Sequence, residues 1–376
     1  MHELLYIVFS LQNTSYWLLI IWCIGAGLVL SPMPKAYVLV QGKVERRWYW
    51  FTVLLFVTPY VLWATYRSGF GDTHAYAMIF NRAPTSFAEL RNYLTITTDV
   101  DPGFYLFITI IKMLGVSRYE VFFLIVAIIQ VLCMCYTFRK YSTNFWLCFF
   151  LFIASTDYMS WMFNGIRQFI ATCLIFSAFD LLVKRRYKLY ACVVLLASTF
   201  HGSAILMLPL SYIMNGPALN RKTMMIIIGT VIAIPFIDSL LPFLERSLSD
   251  TQYGNIMSDS SWTNDDGTNI IRVLVYSVPA LMALVGARYI RNSDDRVLNL
   301  CINASMVTMV LYLVSAVTSG IYIGRLPIYT TLHGYMILPT LIDKIFEKQT
   351  SRLIHVAMIA FYLLFFVYQM RQWGVI

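Results

Sequence analysis

The sequence predicts an all-α, polytopic integral membrane protein with about ten full spans, and three observations lead to this prediction. Of the 376 residues, 59% are hydrophobic and 12% are charged, whereas a soluble globular domain has about 25% charged residues. Apolar runs of spanning length recur from one end of the chain to the other, and basic residues cluster in short segments between them. We therefore expect one transmembrane domain over residues 1–376 and no separate soluble domain.

The net charge of +9 is compatible with a nucleic-acid-binding protein, but the placement of the basic residues argues against one. The basic residues form six clusters in short segments between the apolar runs. Clusters of this kind mark cytoplasmic loops, and placing all six on one side of the membrane fixes the topology. The clusters are Lys35, Lys43, Arg46 and Arg47; Arg139 and Lys140; Lys184, Arg185, Arg186 and Lys188; Arg221 and Lys222; Arg288, Arg291 and Arg296; and Lys344, Lys348 and Arg352.

The predicted spans follow in order from this constraint. The first two cover residues 14–30, running inward, and residues 50–66, running outward, and both termini end outside. The later spans cover residues 119–138, 144–162, 166–183, 224–241, 270–289, 297–319, 326–342 and 353–370.

The stretch 189–214 begins and ends beside basic loops, so it must cross the membrane twice or not at all. At about 1.5 Å per residue, its halves, 189–200 and 204–214, are each too short for an ordinary crossing. We predict a hairpin of short helices with His201-Gly202-Ser203 at its tip.

The first outer segment, residues 67–118, is predicted to carry two juxtamembrane helices, one starting near Asp72 and one at Pro102. The apolar run 104–114 is too short to cross, so a helix in the membrane interface is expected there. Residues 242–269 hold five carboxylates and few apolar residues, and we expect an outer loop that covers the protein.

Unusual polar groups gather on the predicted outer side. An arginine at membrane depth costs about 2.5 kcal/mol or more to insert, so Arg167 is expected either to bind an anion or to extend from a helix end to the surface. Arginines at helix N-termini oppose the helix dipole but suit an anion site, and two or three of them would bind a pyrophosphate well. A nearby carboxylate would deprotonate a hydroxyl group. These groups are Arg67, Asp72, His74, Asp99, Asp101, Asn164, Arg167, Gln168, His201 and Arg325.

Neither a metal site nor a cofactor is predicted. The seven cysteines fall inside predicted spans and lack the spacing of metal ligands. No removable signal peptide is predicted, because the chain does not open on a basic segment followed by a short apolar one.

Five short motifs together resemble one protein family. In chain order they are Arg67-Ser68-Gly69-Phe70-Gly71-Asp72 with Tyr76, Asp101-Pro102-Gly103-Phe104, Asn164-Gly165-Ile166-Arg167-Gln168 with Ala171, Phe200-His201-Gly202-Ser203-Ala204, and Gly324-Arg325-Leu326. They resemble the EpsG-like family of bacterial Wzy-type polymerases of O-antigen, capsule or exopolysaccharide, over most of the chain. Asp101 departs from the pattern, since the family more often has a glutamate before the proline; this changes its reach and not its charge.

The resemblance implies a membrane glycosyltransferase of the bacterial inner membrane. It would move a growing glycan from one undecaprenyl pyrophosphate to the sugar repeat unit on another, with its active site facing the periplasm or the cell exterior. The implied fold is GT-C-like, that of lipid-linked-sugar transferases. The implied partners are the lipid-linked donor and acceptor, membrane lipid and a chain-length regulator protein, with no nucleic acid.

This chemistry assigns hypothetical roles. Arg167 and Arg325 would hold the donor pyrophosphate, and in this way they would replace a divalent metal. Asp72 is the first candidate for the base that activates the acceptor hydroxyl, and Asp101 is the second. His201 would donate to a phosphate or orient the base. The other substrate-binding residues would be Arg67, Tyr76, Asn164 and Gln168.

Several of these residues have a structural alternative. Asp72 also suits the cap of a helix that begins at Thr73, and His201 also suits a hairpin tip satisfied by backbone groups. Arg325, which Gly324 and Pro327 flank, also suits a bent entrance to a helix. Asp157, near the outer end of its predicted span, would either pair with Arg167 or take part in catalysis.

Other functional classes compete with the polymerase. A flippase (transporter) of lipid-linked oligosaccharides would show internal repeats and polar residues through the midplane, and neither is evident. A membrane acyltransferase acting on glycans would use a histidine and an arginine too, but it would bind its acyl donor from the cytoplasmic face. A purely structural subunit would not need so many buried arginines.

Overall fold

The computed structural model describes residues 16–96, 101–236, 267–291 and 293–375. These residues form two compact units, one within residues 1–207 and 349–376 and the other within residues 208–348. Both units are built almost entirely from helices. Of the predicted outer loop 242–269, all but the last three residues lie outside the described residues.

Within the described residues, the main helices of the first unit come from the first part of the chain, with one more from its end. They are α1 (Tyr16–Leu30), α2 (Trp50–Thr65), α3 (Thr73–Arg82), α4 (Phe87–Ile96), α5 (Pro102–Met113), α6 (Tyr119–Tyr141), α7 (Phe145–Ala154), α8 (Ile166–Val183) and α9 (Tyr187–Phe200). The second unit contains α10 (Met207–Met214), α11 (Arg221–Ala233), α12 (Ile270–Val285), α13 (Arg296–Ala316) and α14 (Ile328–Ile345). Helix α15 (Lys348–Gln372) belongs almost wholly to the first unit.

The helices confirm the predicted all-α, polytopic fold. Within the described ranges, α6, α8, α13 and α15 are long and apolar enough to cross a membrane, and several shorter apolar helices accompany them. Helix α8 has the bounds predicted for the span 166–183. The predicted span 224–241 is helical to Ala233 and continues as a 3₁₀ turn, Ile234–Phe236, where the description stops.

The predicted span 144–162 is not one continuous helix. Helix α7 ends at Ala154, and the helical segment Asp157–Asn164 is bent by 75° from it. Thr156, between the two, has φ 67°, a left-handed conformation that cannot continue a right-handed helix. Because a threonine rather than a glycine occupies this position, the local sequence does not indicate the break.

The basic segment between α1 and α2 is a β-hairpin, whereas the sequence predicted a loop. Strands β1 (Lys35–Val40) and β2 (Lys43–Trp48) pair antiparallel along their whole length. Gln41 and Gly42 join them with φ values of 51° and 79°, as expected for a two-residue type I′ turn. In the described part of the chain, these two strands are the exception to the helical fold.

Helices α3 and α5 begin where the sequence predicted juxtamembrane helices, and α4 lies between them in the chain without having been predicted. Helices α3 and α5 pack side by side, with the ring of Tyr76 edge-on to that of Phe104 at 6.2 Å between centroids. Lys112 near the end of α5 donates to two carbonyl groups at the end of α3, at 3.0 and 2.7 Å. These bonds satisfy carbonyls that a helix C-terminus leaves unpaired.

The stretch 189–214 is interrupted at His201. Helix α9 ends one residue earlier, and a 3₁₀ turn, Gly202–Leu206, leads into α10. Helix α9 packs against α5, where a Cβ added at Gly103 would lie 2.1 Å from Oγ1 of Thr199. The close packing of α5 against α9 therefore needs a glycine at this position. It brings the start of α5 next to the break at His201. That α9 and α10 form a membrane hairpin stays a prediction.

Candidate active site

Arg167, in the first turn of α8, is the centre of a polar cluster in the first unit. Its Nη1 atom lies 3.0 Å from Oδ2 of Asp101, and its guanidinium carbon lies 5.7 Å from the centre of the Phe104 ring. The acidic partner of Arg167 is thus Asp101 and not Asp157, which lies near Tyr362 instead. Because 28% of the Arg167 side chain is exposed, the guanidinium is paired but not enclosed.

Asp101 immediately precedes α5, where Pro102 fills the first helical position. Its carboxylate makes no capping bond to α5; Oδ2 faces Arg167, and Oδ1 accepts the backbone N–H of Gly202 at 3.3 Å. Asp101 is buried, so it needs this cationic partner. Its negative charge near the start of α8 also offsets the unfavourable placement of an arginine at a helix N-terminus.

Tyr76 on α3 is buried beside Arg167, and the charge of the guanidinium acts on its hydroxyl group. Burial raises the pKa of Tyr76, and the positive charge of Arg167 opposes the shift. The phenol is consequently neutral at physiological pH. Contact between Tyr76 and substrate stays a prediction.

A turn containing two glycines brings the start of α3 against the bend after α7. Gly69 and Gly71 have φ values of 63° and 57°. A Cβ added at Gly71 would lie 1.4 Å from Oδ1 of Asn164, and the same oxygen accepts the backbone N–H of Asp72 at 3.1 Å. Asn164 therefore holds the start of α3 in place from its position at the end of the bent segment.

The side chain of Asp72 is exposed at the N-cap position of α3, yet it caps no backbone N–H group. Across the described residues, its carboxylate makes neither a hydrogen bond nor an ion pair, although it acts electrostatically on Tyr76 one helical turn away. The structure does not show the capping role that the sequence left open. The carboxylate is available to a hydroxyl group from outside the protein.

His201 and Gln168 meet through Ser203. Nδ1 of His201 lies 2.8 Å from Oγ of Ser203, and Nε2 of Gln168 lies 3.4 Å from the same oxygen. Since Gly202 binds Asp101 through its backbone N–H, the turn after α9 is tied to both α5 and α8. His201 is therefore fixed by a side chain and not only by backbone groups.

Arg67 lies behind this cluster and is 6% exposed. Its guanidinium carbon lies 3.9 Å from the ring centre of Phe123 and 4.9 Å from that of Phe163, and Nη1 donates to the carbonyl of Met162 at 3.3 Å. Burial lowers the pKa of Arg67 to about 9. Through these contacts Arg67 holds the end of α2 against the segment Asp157–Asn164. Direct contact between Arg67 and substrate stays a prediction.

Arg325 belongs to the second unit. It is exposed in a 3₁₀ turn, Ile323–Arg325, that leads through Pro327 into α14, and a Cβ added at Gly324 would lie 2.6 Å from Oγ1 of Thr268. The bent entrance to the helix is thus present. That Arg325 converges with Arg167 stays a prediction.

The cluster contains residues that sequence reasoning did not single out. Ser203 joins His201 to Gln168, and Phe104 lies under the guanidinium of Arg167. Both residues belong to the motifs quoted above: Ser203 lies two positions after His201, and Phe104 lies three positions after Asp101. Their place in these motifs was the sequence signal that could have identified them.

Among the described residues, no group of three histidine, cysteine or carboxylate side chains is placed to hold a metal ion. The expectation that the chain has no Asp-x-Asp sequence is wrong, because Asp99-Val100-Asp101 is one; Asp99 lies outside the described residues, so metal independence stays a prediction. The positive charge in the described cluster comes from Arg167.

The fold and the cluster define a helical, multi-pass membrane protein with a polar site at the N-terminus of one of its spans. More specifically, the chain belongs to the EpsG family, whose model matches residues 48–375 and so includes every residue of the cluster. Membership points to a membrane polysaccharide polymerase of glycosyltransferase type. No curated protein and no solved structure matches the chain.

Proposed function

We propose that this chain polymerises a polysaccharide on the extracytoplasmic side of the bacterial inner membrane. It moves a growing glycan from an undecaprenyl-pyrophosphate donor to a hydroxyl of a lipid-linked repeat unit. Membership of the EpsG family supports the proposal. The structural observation that supports it best is the partly exposed guanidinium of Arg167, held at a helix N-terminus in a cluster that also contains Asp72.

In this proposal Arg167 binds the donor pyrophosphate. A guanidinium group has five N–H donors, and those that do not face Asp101 or Tyr76 remain for phosphate oxygens. As the bond between the anomeric carbon and the pyrophosphate oxygen breaks, negative charge develops on the leaving group and Arg167 stabilises it. Arg325 supplies a second positive charge to the pyrophosphate, and His201 donates to a phosphate or orients the base.

Asp72 is the base in this proposal. Its carboxylate is exposed and unbonded within the described part of the chain, whereas both oxygens of Asp101 already have partners. Asp72 accepts the proton of the acceptor hydroxyl, the hydroxyl oxygen bonds to the anomeric carbon, and undecaprenyl pyrophosphate leaves.

The test is reconstitution of the purified chain with a lipid-linked repeat unit, followed by electrophoresis of the glycan. We expect a ladder of longer glycans that persists in the presence of a chelator. Arg167→Gln and Asp72→Asn should abolish the ladder. Arg82→Gln is the matched control, because Arg82 is exposed on the same segment and lies outside the cluster.

Full laddering by Asp72→Asn or Arg167→Gln would remove that residue from the mechanism. Transbilayer movement of the lipid-linked unit without extension would identify a flippase. Loss of laddering on chelation would contradict the part of the proposal in which arginines replace a metal.

A further inference from the structure

A second polar site lies in the first unit, between the β-hairpin, the end of α1, the end of α6 and the start of α7. Its cavity measures about 100 Å³. This exceeds several times the roughly 15 Å³ that one water molecule needs. The cations that line it are Lys35, Arg46, Arg47 and Arg139, and we call this cavity the basic pocket.

The positive charge of the basic pocket is not neutralised by the described residues that line it, since none of them is a carboxylate. Arg47 has one acidic neighbour, Glu45, at 3.5 Å, a pair of the kind that contributes little in contact with solvent. Arg47 and Arg139 are close enough to repel each other. An anion between them would remove this repulsion.

Two of the guanidinium groups are held in place by backbone carbonyls. Nε of Arg139 donates to the carbonyl of Trp48 at 2.7 Å, and its guanidinium carbon lies 5.1 Å from the ring centre of Trp50. Nε of Arg47 donates to the carbonyl of Lys140 at 3.2 Å. Nη1 of Arg47 also donates to the carbonyl of Arg46 at 3.0 Å. These bonds leave Nη2 of Arg47 and the terminal N–H groups of Arg139 for a ligand, and because the side chains are already held, ordering them on binding costs little.

The start of α7 adds a further feature that favours anions. Thr143 and Asn144 line the basic pocket, and Asn144 caps the ten-residue α7 by accepting the N–H of Leu147 at 3.3 Å. The N-terminus of a helix carries the positive end of its dipole, and this end is directed at the four cations. A compact anion between these positive groups would be bound favourably.

We propose that the basic pocket binds a phosphate group, presented either by the headgroup of an anionic phospholipid or as free phosphate. Exposed aromatic side chains near the basic pocket favour the phospholipid headgroup as the ligand. Tyr37 is 70% exposed, and Tyr49 and Trp50 are also exposed. Such residues are typical of the membrane–water interface. On the predicted topology the pocket is cytoplasmic, where anionic lipids concentrate near basic segments. The site shares no residue with the Arg167 cluster, so it does not depend on the proposed polymerase function.

The test uses the purified full-length protein, delipidated in a neutral detergent. Phosphatidylglycerol and phosphatidylcholine are titrated and counted by native mass spectrometry, and radiolabelled inorganic phosphate is measured by equilibrium dialysis. Lys35→Gln/Arg46→Gln removes the two exposed cations of the pocket, which make no bond to the backbone. Lys43→Gln/Lys188→Gln is the matched control, since it removes two exposed charges from predicted cytoplasmic segments outside the pocket.

We expect the pocket double variant to bind phosphatidylglycerol about 30-fold more weakly, or about fivefold per basic residue, with the control unchanged. Arg46→Lys, which keeps the charge, should retain binding. If inorganic phosphate binding falls in the same way and phosphatidylglycerol binding does not, the ligand is free phosphate. Equal affinities of the two double variants for both ligands would overturn the proposal, and so would binding of phosphatidylcholine as tight as that of phosphatidylglycerol.

Discussion

Replacing Asp101 with asparagine removes the negative charge that faces Arg167 and changes little else. Asparagine has nearly the same shape, and its Oδ1 atom still accepts the N–H of Gly202, which lies 3.3 Å from the carboxylate in the native protein. The ionic contact of 3.0 Å to Arg167 is what disappears. A double-mutant cycle with Arg167 then isolates the interaction of this pair from other effects of the substitution.

The size of this interaction follows from burial. Removing one partner of a fully buried ion pair costs about 3–5 kcal/mol, and an exposed pair contributes about 0–1 kcal/mol. The Asp101 side chain is 9% exposed and that of Arg167 is 28% exposed, so the pair lies between these limits. We expect a coupling free energy of about 2 kcal/mol, close to that of a hydrogen bond between charged groups.

The assay is a double-mutant cycle of the native protein, Asp101→Asn, Arg167→Gln and the combination, unfolded by dodecyl sulfate in mixed micelles. The control cycle replaces Arg167→Gln by Arg82→Gln. Arg82 belongs to the end of α3 that Lys112 contacts, eleven residues, or about 16 Å, along α5 from Asp101, so its effect should add to that of Asp101→Asn. A coupling below about 0.5 kcal/mol in the Asp101–Arg167 cycle would refute the reasoning.

Two further predictions concern the residues around this pair. Gly71→Ala should lower the melting temperature and the laddering activity more than Gly69→Ala does. Both glycines have positive φ, which costs about 1–2 kcal/mol for another residue, but only at Gly71 would the new Cβ meet Asn164, and overpacking adds about 1–3 kcal/mol. Similar losses for both variants, measured by thermal unfolding, would contradict the close approach. Tyr76→Phe should lower laddering at every pH between about 6 and 9 without changing the shape of the profile, because burial raises the pKa of the Tyr76 phenol above its ordinary range near 10 and it does not titrate there. An alkaline limb present in the native profile and absent from the variant would show that this phenol does ionise.

Hydropathy and the placement of basic residues were sufficient to predict the helical, multi-pass fold, because spanning helices need long apolar runs. They did not predict the bend at Thr156, since a left-handed threonine is held there by the surrounding structure and not by its own preference. They did not predict the hairpin either. Its strands carry the same basic residues that mark cytoplasmic loops, so the segment was interpreted as a loop. The alternation of apolar and polar residues that is typical of a strand was therefore not recognised.

The composition of the candidate site was more predictable than its pairing. Short motifs identified Tyr76, Asn164, Gln168 and His201, and the structure brings all four into one network with Arg167. Which carboxylate pairs with Arg167 depends on the approach of α5 to α9. That approach is set by a glycine contact between segments about a hundred residues apart, and no local pattern reports on it.

Asp72 and Asp101 occupy similar positions in the sequence, and only the three-dimensional structure distinguishes their surroundings. In the sequence each is an acidic residue just before a helix in the first outer segment, and either would serve as cap or base. In the structure neither caps its helix, Asp101 is buried against Arg167 and Gly202, and Asp72 is exposed. A general base must reach the proton that it removes with a free lone pair. Asp101 would have to give up a buried partner to do so, leaving Arg167 uncompensated, whereas Asp72 breaks no bond within the described residues. We therefore propose that Asp101 sets the position and charge balance of the arginine, and that Asp72 is the base that accepts the proton of the acceptor.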